Sequence, residues 1–431
     1  MTAETLNRPG REPRENTPEN IQAIEMKLMA RTRHESLSVP GWGLWTETFP
    51  QTKSTLSGVV AHFGQRVTRE SMDQIIAKTI SENPQSKEES WSGPLGYSAG
   101  FGAIYRAPEE ATREEKDAAT FEVAVKMARE AIELKGWNPE DVDIVDFANS
   151  AAADGMSITL KEKLVNELGM KKDLDVTGTF MACDGAGNAL YRRLRDEKSV
   201  GKKVLLLTVD SVGSEMPLDP TRADTNSMQI FSNGAAAFTY VPGEDLRLVT
   251  EGKTEVHEDE GGALAAITRY AEAIKSDSTI DPEEPTGLIR KIDKERMIRL
   301  PHPDFGAFLM RGVATAKFFW EHAESNIAEV CAQYEKAFPG RQLDYATIHH
   351  PSFMVFKHLQ HIFEKRINDG KQKLELPFKW LVPDGNSSGA TSLIAFNRSM
   401  EQFKQGDHVM YASFGAGGSF TTFVVEVGGE N

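Results

Sequence analysis

Two segments of the chain carry apolar residues at the spacing of an amphipathic helix. In Phe121–Leu134 apolar side chains recur every three or four residues, and Gly136 follows where a helix would end. The face that they share comprises Val123, Ala124, Met127, Ala128 and Ile132. A second amphipathic segment, Asn326–Phe338, lies in the other half of the chain. The pattern therefore predicts one long helix in each half.

Short runs of almost continuously apolar residues alternate with these helical segments. The clearest are Val142–Ala148, Val204–Val209 and Ala235–Val241. Runs of this kind are typical of strands that are buried on both faces. Together with the helical segments, they predict an α/β fold in which helices cover a sheet.

The two halves repeat the same order of segments. The first helix precedes VDIVDFA, and the second precedes LDYATIHH. In the first half 40 residues separate Asp143 from Cys183, and in the second 42 separate Asp344 from Asn386. In each half the next apolar strand ends 27 residues further on. A fixed order at a fixed period indicates an internal duplication.

The duplication divides the chain into three predicted parts. Residues 1–55 form a polar N-terminal extension with several prolines. Residues 56–245 form the first α/β half, and residues 246–431 form the second. The second half contains a charged stretch around 252–300 that matches neither copy, and we interpret it as a solvated insertion.

Composition narrows the class of protein. Of 431 residues, 39% are hydrophobic and 26% are charged, which is typical of a globular chain. The net charge of −15 argues against a nucleic-acid partner, because phosphate binding needs a basic footprint. No apolar run reaches the roughly 18 residues of a membrane span, and the first thirty residues lack the apolar stretch of a secretory signal. We therefore expect a cytoplasmic enzyme.

Cys183 is the candidate nucleophile. It lies between a short β-like run and an amphipathic helix, so its sulfur is expected at a helix N-terminus, where thiolate is favoured. Gly185 and Gly187 leave room for a substrate at the first turn. Asp184 opposes this interpretation, since an adjacent carboxylate raises the pKa of a thiol unless it points away. A buried, unreactive cysteine is the alternative, and it is our only interpretation of Cys331.

Two segments of the second half supply partners for this thiol. IHHPS ends a predicted strand, so His349 or His350 lies at the carboxyl edge, where sites of parallel sheets assemble. Asn386, in PDGNSSGAT, occupies the position that matches Cys183 in the first half. Cys, His and Asn together suit acyl transfer. The glycine-rich FGAGGSF segment offers backbone N–H groups that could hold an oxyanion. Two cysteines exclude a thiolate-built zinc site, and EVHEDEGG, which could be imagined as a metal site, is interpreted as a surface acidic loop, so we expect no metal.

These motifs resemble the thiolase superfamily, and within it the ketoacyl-[acyl carrier protein] synthase III-like branch. The resemblance covers about residues 56–428 and rests on MACDGAG, LDPTRADTNSMQIFSNGAAAF, LDYATIHHPS, GNSSGAT and FGAGGSFTTFVVEV. LDYATIHHPS is also similar, more distantly, to hydroxymethylglutaryl-CoA synthase. The resemblance implies a thiolase-like fold, with two duplicated α/β halves in a five-layered αβαβα arrangement, and a homodimer.

The resemblance also implies a role for each matching residue. Cys183 would accept the acyl group from coenzyme A. The family histidine follows the strand aspartate by five residues, which selects His349 over His350. His349 and Asn386 would bind the thioester carbonyl of the second substrate and stabilise its enolate. The backbone amides of Cys183 and Ala416 would form the oxyanion hole.

Further residues are implied to bind substrates or partners. Arg222 corresponds to an arginine that helps to hold coenzyme A, and Met156 to a loop that lines the acyl pocket of the partner subunit. Lys357, Lys365 and Arg366 would dock an acidic acyl carrier protein. The substrates are acyl-CoA and malonyl thioesters, and we expect no cofactor beyond them.

The expected function is formation of a β-ketoacyl product by decarboxylative Claisen condensation, in fatty acid or polyketide biosynthesis. One alternative is an acyltransferase of the same fold that makes an ester or an amide. Another is a non-catalytic partner of an active paralogue, which Asp184 beside the cysteine keeps open. The glutamate that hydroxymethylglutaryl-CoA synthase uses after the first strand is absent from FANSAAADGMS, where Asp154 is the nearest carboxylate.

Overall fold

The computed structural model describes twelve parts of the chain. They are residues 26, 28–52, 54–82, 102–150, 156–215, 230–257, 266–268, 297–299, 307–309, 312–349, 384–415 and 418–428. Seven residues named above lie outside them, namely Asp154, Arg222, His350, Lys357, Lys365, Arg366 and Ala416. The roles expected of these residues stay predictions.

Sixteen strands and six α-helices make up the described parts. The strands are β1 (Arg33–Ser36), β2 (Gly43–Phe49), β3 (Ser57–Thr68), β4 (Ala103–Arg106), β5 (Ile144–Ala148), β6 (Asp175–Thr179), β7 (Val204–Asp210), β8 (Gly234–Tyr240), β9 (Leu246–Leu248), β10 (Lys253–Val256), β11 (Ala266–Thr268), β12 (Met297–Arg299), β13 (Ala307–Leu309), β14 (Tyr345–Ile348), β15 (His408–Gly415) and β16 (Ser419–Val427). The helices are α1 (Arg69–Glu82), α2 (Arg113–Lys135), α3 (Met156–Leu168), α4 (Gly185–Arg195), α5 (Gly312–Ala337) and α6 (Gly389–Ser399).

Two sheets form the body, and a small third sheet joins β11, β13 and β12. The first has eight strands in the order β1-β2-β3-β8-β7-β5-β6, with β4 paired to β3. The second has five strands in the order β10-β16-β15-β14, with β9 paired to β16. In the first sheet β5 is parallel to β7, and β7 is antiparallel to β8. In the second, β14 is parallel to β15, and β15 is antiparallel to β16. The repeated pattern agrees with the predicted duplication.

The sheets and helices stack in five layers. Alternate residues of the first sheet, such as Leu205 and Leu207, pack against α2 and α3 on its outer face. Residues of the other face, such as Leu206, pack with α4, α6 and the second sheet in one cluster. α5 covers the far side of the second sheet, where it packs on Met410 and Phe414. This arrangement is the αβαβα order expected from the resemblance.

Helix α6 is the centre of the molecule, because all eleven of its residues are buried. Its polar side chains are therefore paired with other parts of the chain. Asn397 donates to the carbonyls of Val59 and Ala237. Arg398 forms ion pairs with the buried carboxylates of Glu47 and Asp384. These contacts hold α6 against the first sheet by directional bonds as well as by apolar packing.

Two details of the first-half helix follow from its capping. The Thr112 side chain accepts from the Glu115 amide, and the Glu115 carboxylate accepts from the Thr112 amide, so a capping box begins the helix. The helix consequently starts at Arg113, eight residues before the predicted start at Phe121. Gly136, with φ of 74°, ends the helix in the left-handed conformation, as predicted.

Within the described ranges, none of the helices is long and apolar enough to cross a membrane.

Candidate active site

Cys183 lies on a strained turn between β6 and α4. A single 3-10 turn, Ala182–Asp184, precedes the first residue of α4, Gly185. Ala182 has φ of +47°, which side chains other than glycine rarely adopt. The Cys183 Sγ lies 3.2 Å from the Ser388 hydroxyl, and the residue is 9% exposed. The thiol thus sits at the N-terminus of α4, as the sequence predicted, and contacts the second half of the chain.

A matching turn leads into α6. Ser388 has φ of +50°, and among the described residues it and Ala182 alone combine a side chain with positive φ. A Cβ atom on Gly389 would lie 2.9 Å from the carbonyl oxygen of Ala182. The two turns are therefore in contact, and the N-termini of α4 and α6 meet there.

Asn386 is held with its amide oxygen turned toward α6. Its Oδ1 accepts from the Ser388 amide at 2.9 Å and from the Thr391 hydroxyl at 3.0 Å. These two donors identify the atom as the amide oxygen rather than the amide nitrogen. The Nδ2 group is therefore a hydrogen-bond donor that faces away from α6. Within the described residues Nδ2 donates to no protein atom. Asn386 is 2% exposed, and its backbone bonds Ile230 and Ser232.

His349 follows the last residue of β14 and is 1% exposed. Its amide donates to the Ala412 carbonyl at 2.8 Å, and its ring lies edge-on to Phe414 at 5.2 Å between centroids. The next residue along β15, Gly415, fits tightly against the cysteine turn. A Cβ atom there would lie 2.6 Å from the Met181 carbonyl oxygen. The end of β15 therefore lies between His349 and the turn that bears Cys183.

Asp184 does not face the thiol. Its carboxylate accepts from the Ser413 hydroxyl at 2.5 Å and from the Thr421 hydroxyl at 2.9 Å. It is fully buried, and burial raises its pKa to about 7 although the hydroxyls act in the other direction. Asp184 is therefore a weaker argument against a reactive Cys183 than the sequence alone indicated, because its carboxylate points away from the thiol.

Asp210, at the end of β7, holds the N-terminus of α6. Its carboxylate accepts from the amides of Gly389 and Ala390 and from both the amide and the hydroxyl of Ser150. Burial raises its pKa to about 6, opposed by these bonds. In the sequence, Asp210 is recognisable only as the end of an apolar strand. The sign that it differs from its counterpart is that Ser413 occupies the matching position in the second half.

Three other residues can now be placed. Met156 is the first residue of α3 and packs within the cluster between α2, α3 and the first sheet. Its expected role at a partner subunit stays a prediction. Asn233, buried before β8, accepts from the Ser214 amide and donates to the Phe63 carbonyl, which is a structural role. Cys331 is partly buried on α5, and burial raises its pKa to about 12, as expected of an unreactive thiol.

Comparison with known proteins identifies the fold. No family model matches the chain, and no curated protein matches it. The solved structure of 1,3,6,8-tetrahydroxynaphthalene synthase from Streptomyces coelicolor A3(2), a bacterial type III polyketide synthase, is 14% identical with a TM-score of 0.62, over 88% of this chain and 100% of that one. OleA from Xanthomonas campestris is 13% identical with a TM-score of 0.57, over 88% and 99%. The 3-oxoacyl-[acyl-carrier-protein] synthase III from Aquifex aeolicus is 16% identical with a TM-score of 0.55, over 88% and 98%.

These similarities extend over nearly the whole of each solved chain. The thiolase-like fold predicted from the sequence is therefore confirmed. Identities of 13–16% carry no information about the substrate. The reaction has to be argued from the site.

Proposed function

We propose that this chain is a condensing enzyme that joins acyl thioesters by a Claisen reaction through an acyl group carried on Cys183. The observation that carries the proposal is the meeting of two buried helix N-termini, those of α4 and α6, around the Cys183 thiol and the Asn386 amide. Helix N-termini present N–H groups and a positive dipole end. The proposed reaction develops negative charge on sulfur and on two carbonyl oxygens, which such an environment stabilises.

The first half-reaction moves the acyl group from coenzyme A to Cys183. The thiolate attacks the thioester carbonyl, negative charge collects on the carbonyl oxygen, and the thiolate of coenzyme A leaves and takes up a proton. The amides of Cys183 and Ala416 are the proposed donors to that oxygen. The Ser388 hydroxyl, 3.2 Å from Sγ, can donate to the thiolate before it attacks.

The second half-reaction uses His349 and Asn386. A malonyl thioester binds with its thioester carbonyl between the two side chains and loses carbon dioxide, which leaves the electron pair on the α carbon as an enolate. The two donors stabilise the enolate oxygen. The carbanion attacks the acyl carbonyl on Cys183, the carbon–sulfur bond breaks, and the β-ketoacyl thioester leaves. The thiolate is regenerated, and the reaction requires no further cofactor.

The orientation of Asn386 favours condensation over acyl transfer to an alcohol or an amine. Its oxygen is occupied by Ser388 and Thr391, so the group that it can offer a ligand is an N–H donor. A donor suits the carbonyl of a second thioester. An alcohol or amine acceptor needs a base instead, and the Asn386 amide nitrogen cannot act as one.

The test is the intact mass of the protein after incubation with a panel of acyl-CoAs. We expect an increase of one acyl group in the wild type and in Cys331→Ala, and none in Cys183→Ala. Cys331→Ala is the matched control, because it removes the other cysteine. Addition of malonyl-CoA should then clear the adduct, with one carbon dioxide released for each acyl group lost.

Two results would lead to different conclusions. Clearance of the adduct by an alcohol or an amine, without carbon dioxide, would identify an acyltransferase. If neither an acyl-CoA nor an acyl carrier protein ever labelled Cys183, the condensing function would be wrong. The fold would stand, and an active partner subunit would have to be sought.

The same proposal includes a homodimer. Strand β6 lies at the edge of the first sheet within the described residues. Next to it on α3, Ile158 is 66% exposed, which is unusual for a large apolar side chain. Gly178 of β6 lies against Ser157 of the same helix, so α3 packs beside this edge of the sheet. Light scattering after gel filtration should give twice the chain mass, and Ile158→Glu should reduce the measured mass.

Docking of an acyl carrier protein at Lys357, Lys365 and Arg366 stays a prediction.

A further inference from the structure

Beside the proposed nucleophile lies a buried carboxyl group that the reaction above does not use. Asp184 has no exposed surface, and its carboxylate accepts hydrogen bonds from Ser413 on β15 and Thr421 on β16. Both strands belong to the opposite half of the chain. The carboxyl therefore links the turn that bears Cys183 to the second sheet, across 229 and 237 residues of sequence.

The groups around Asp184 are hydroxyls. Ser413 and Thr421 donate to its carboxylate, and the nearby Ser419 hydroxyl also lowers its pKa. Within the part of the chain that the structure describes, no cation shifts that pKa. The ionisable groups near it are the Tyr411 phenol on β15, whose pKa burial raises above its usual value, and the thiol of Cys183. Among the described residues, the carboxyl group therefore has no counter-ion to fix its charge. Burial holds its pKa near neutrality, and a change of charge there occurs one residue from the nucleophile.

Close packing shows that the link is mechanically tight. A Cβ atom on Gly415 would lie 2.9 Å from the Asp184 amide nitrogen and 3.0 Å from the Ser419 hydroxyl. One on Gly187 would lie 1.9 Å from the Ser413 hydroxyl, the same group that bonds Asp184. Neither the cysteine turn nor the end of β15 can shift far without breaking these contacts. The position of Cys183 relative to Gly415 is set at this junction.

We propose that Asp184 is a positioning residue for Cys183, which fastens the cysteine turn to β15 and β16 and, when ionised, restrains formation of the thiolate. The inference rests on the proposed function only in treating Cys183 as the nucleophile. A negative charge on the neighbouring residue disfavours a second negative charge on sulfur. In a medium of dielectric constant about 20, an interaction of this kind changes the pKa of the thiol by on the order of one unit, or roughly tenfold in thiolate.

Alkylation of Cys183 by iodoacetamide from pH 5 to pH 10 measures the charge effect without any substrate. All proteins carry Cys331→Ala, so that one thiol reacts. Asp184→Asn preserves the shape and can still bond two hydroxyls, but it cannot ionise. We expect it to react about tenfold faster at pH 8 and to follow a single ionisation, whereas the wild type follows two coupled ones. Ser413→Ala keeps the charge and loses one bond, so its profile should keep the shape of the wild type.

Acyl transfer from acyl-CoA measures positioning in the same variants. Ser413→Ala and Asp184→Ala should acylate more slowly than they alkylate, relative to the wild type, because transfer requires aligned donors and alkylation does not. An Asp184→Asn profile that superimposes on that of the wild type would overturn the charge effect, and acylation in Ser413→Ala at the wild-type rate would overturn the positioning. Should Asp184→Ala fail to fold, the other two variants decide. A wild type that alkylates normally but never acylates refutes the proposed function instead.

Discussion

Replacement of Gly187 by alanine tests the packing of α4 against the second sheet. The added Cβ would lie 1.9 Å from the Ser413 hydroxyl and 2.9 Å from the Tyr411 ring. Real Cβ contacts are essentially never shorter than 3.0 Å. Either α4 must move away from β15, or the Ser413 side chain must rotate and lose its bond to Asp184.

The expected cost can be assembled from its parts. Overpacking of a dense core costs about 1–3 kcal/mol, and loss of the hydrogen bond from Ser413 to Asp184 adds about 1 kcal/mol. Replacing glycine by alanine within a helix returns about 1 kcal/mol. We therefore expect Gly187→Ala to destabilise the protein by about 2 kcal/mol. Gly185→Ala is the matched control on the same turn, because the nearest atoms to its Cβ would be 3.4 and 3.6 Å away.

Urea unfolding, followed by circular dichroism, compares the two variants with the wild type. Gly185→Ala should leave the midpoint unchanged or raise it, and Gly187→Ala should lower it. Adding Ser413→Ala to Gly187→Ala removes the closest clash, so the double variant should lose less than the sum of the two single changes. Equal midpoints for the two glycine variants, or strict additivity with Ser413→Ala, would show that α4 is not packed as described.

Three further predictions concern charges and a helix end. Burial in the folded state raises the pKa of Asp210 to about 6, so the folded protein binds a proton there more tightly than the unfolded chain does. The free energy of unfolding should therefore fall as the pH rises from about 4 to 6. Asp210→Asn should therefore gain about 3 kcal/mol relative to the wild type between pH 4 and pH 8, measured by denaturant unfolding; a constant difference would contradict this. Arg398→Met leaves the buried carboxylate of Glu47 without its cation and that of Asp384 with only His62, so it should cost about 3–5 kcal/mol, with part recovered by adding Glu47→Gln. Thr112→Ala should cost about 1 kcal/mol in the same assay, and no loss would mean that the capping box contributes nothing.

The strands were predictable because an apolar run is a local property. Strands β5, β7 and β8 lie within two residues of the predicted runs, since side chains buried on both faces leave no polar alternation to misread. The start of α2 was not predictable from periodicity. Its first turns, REEKDAAT, are mostly polar, and the capping signal lies in Thr112 and Glu115 instead. The five-layered order was expected from the resemblance, whereas the matching intervals predicted only that the two halves repeat, which the pairing of β5, β7 and β8 and of β14, β15 and β16 agrees with.

The candidate site was predictable only where the duplication reached it. Matching intervals paired Cys183 with Asn386, and the two turns that carry them are in contact. The orientation of Asp184 could not be foreseen, because its partners lie more than two hundred residues away and nothing local selects them. Ser388 was missed for another reason. Positive φ favours glycine, and a serine followed by a glycine gives no sign that the serine is the strained residue.

The strain at Ser388 suggests that its hydroxyl is retained for the sake of the thiol. A side chain at φ of +50° and ψ of −122° costs about 1–3 kcal/mol, which glycine at the same position would avoid. Ser388→Gly should therefore raise the thermal midpoint, whereas Ser388→Ala keeps the strain and should not. Both variants lose the contact with Cys183 Sγ at 3.2 Å, so both should alkylate at the same altered rate. If glycine were no more stabilising than alanine, the turn would not be strained. If neither variant changed the rate of alkylation, the hydroxyl would have no influence on the thiol, and the strain would need another explanation.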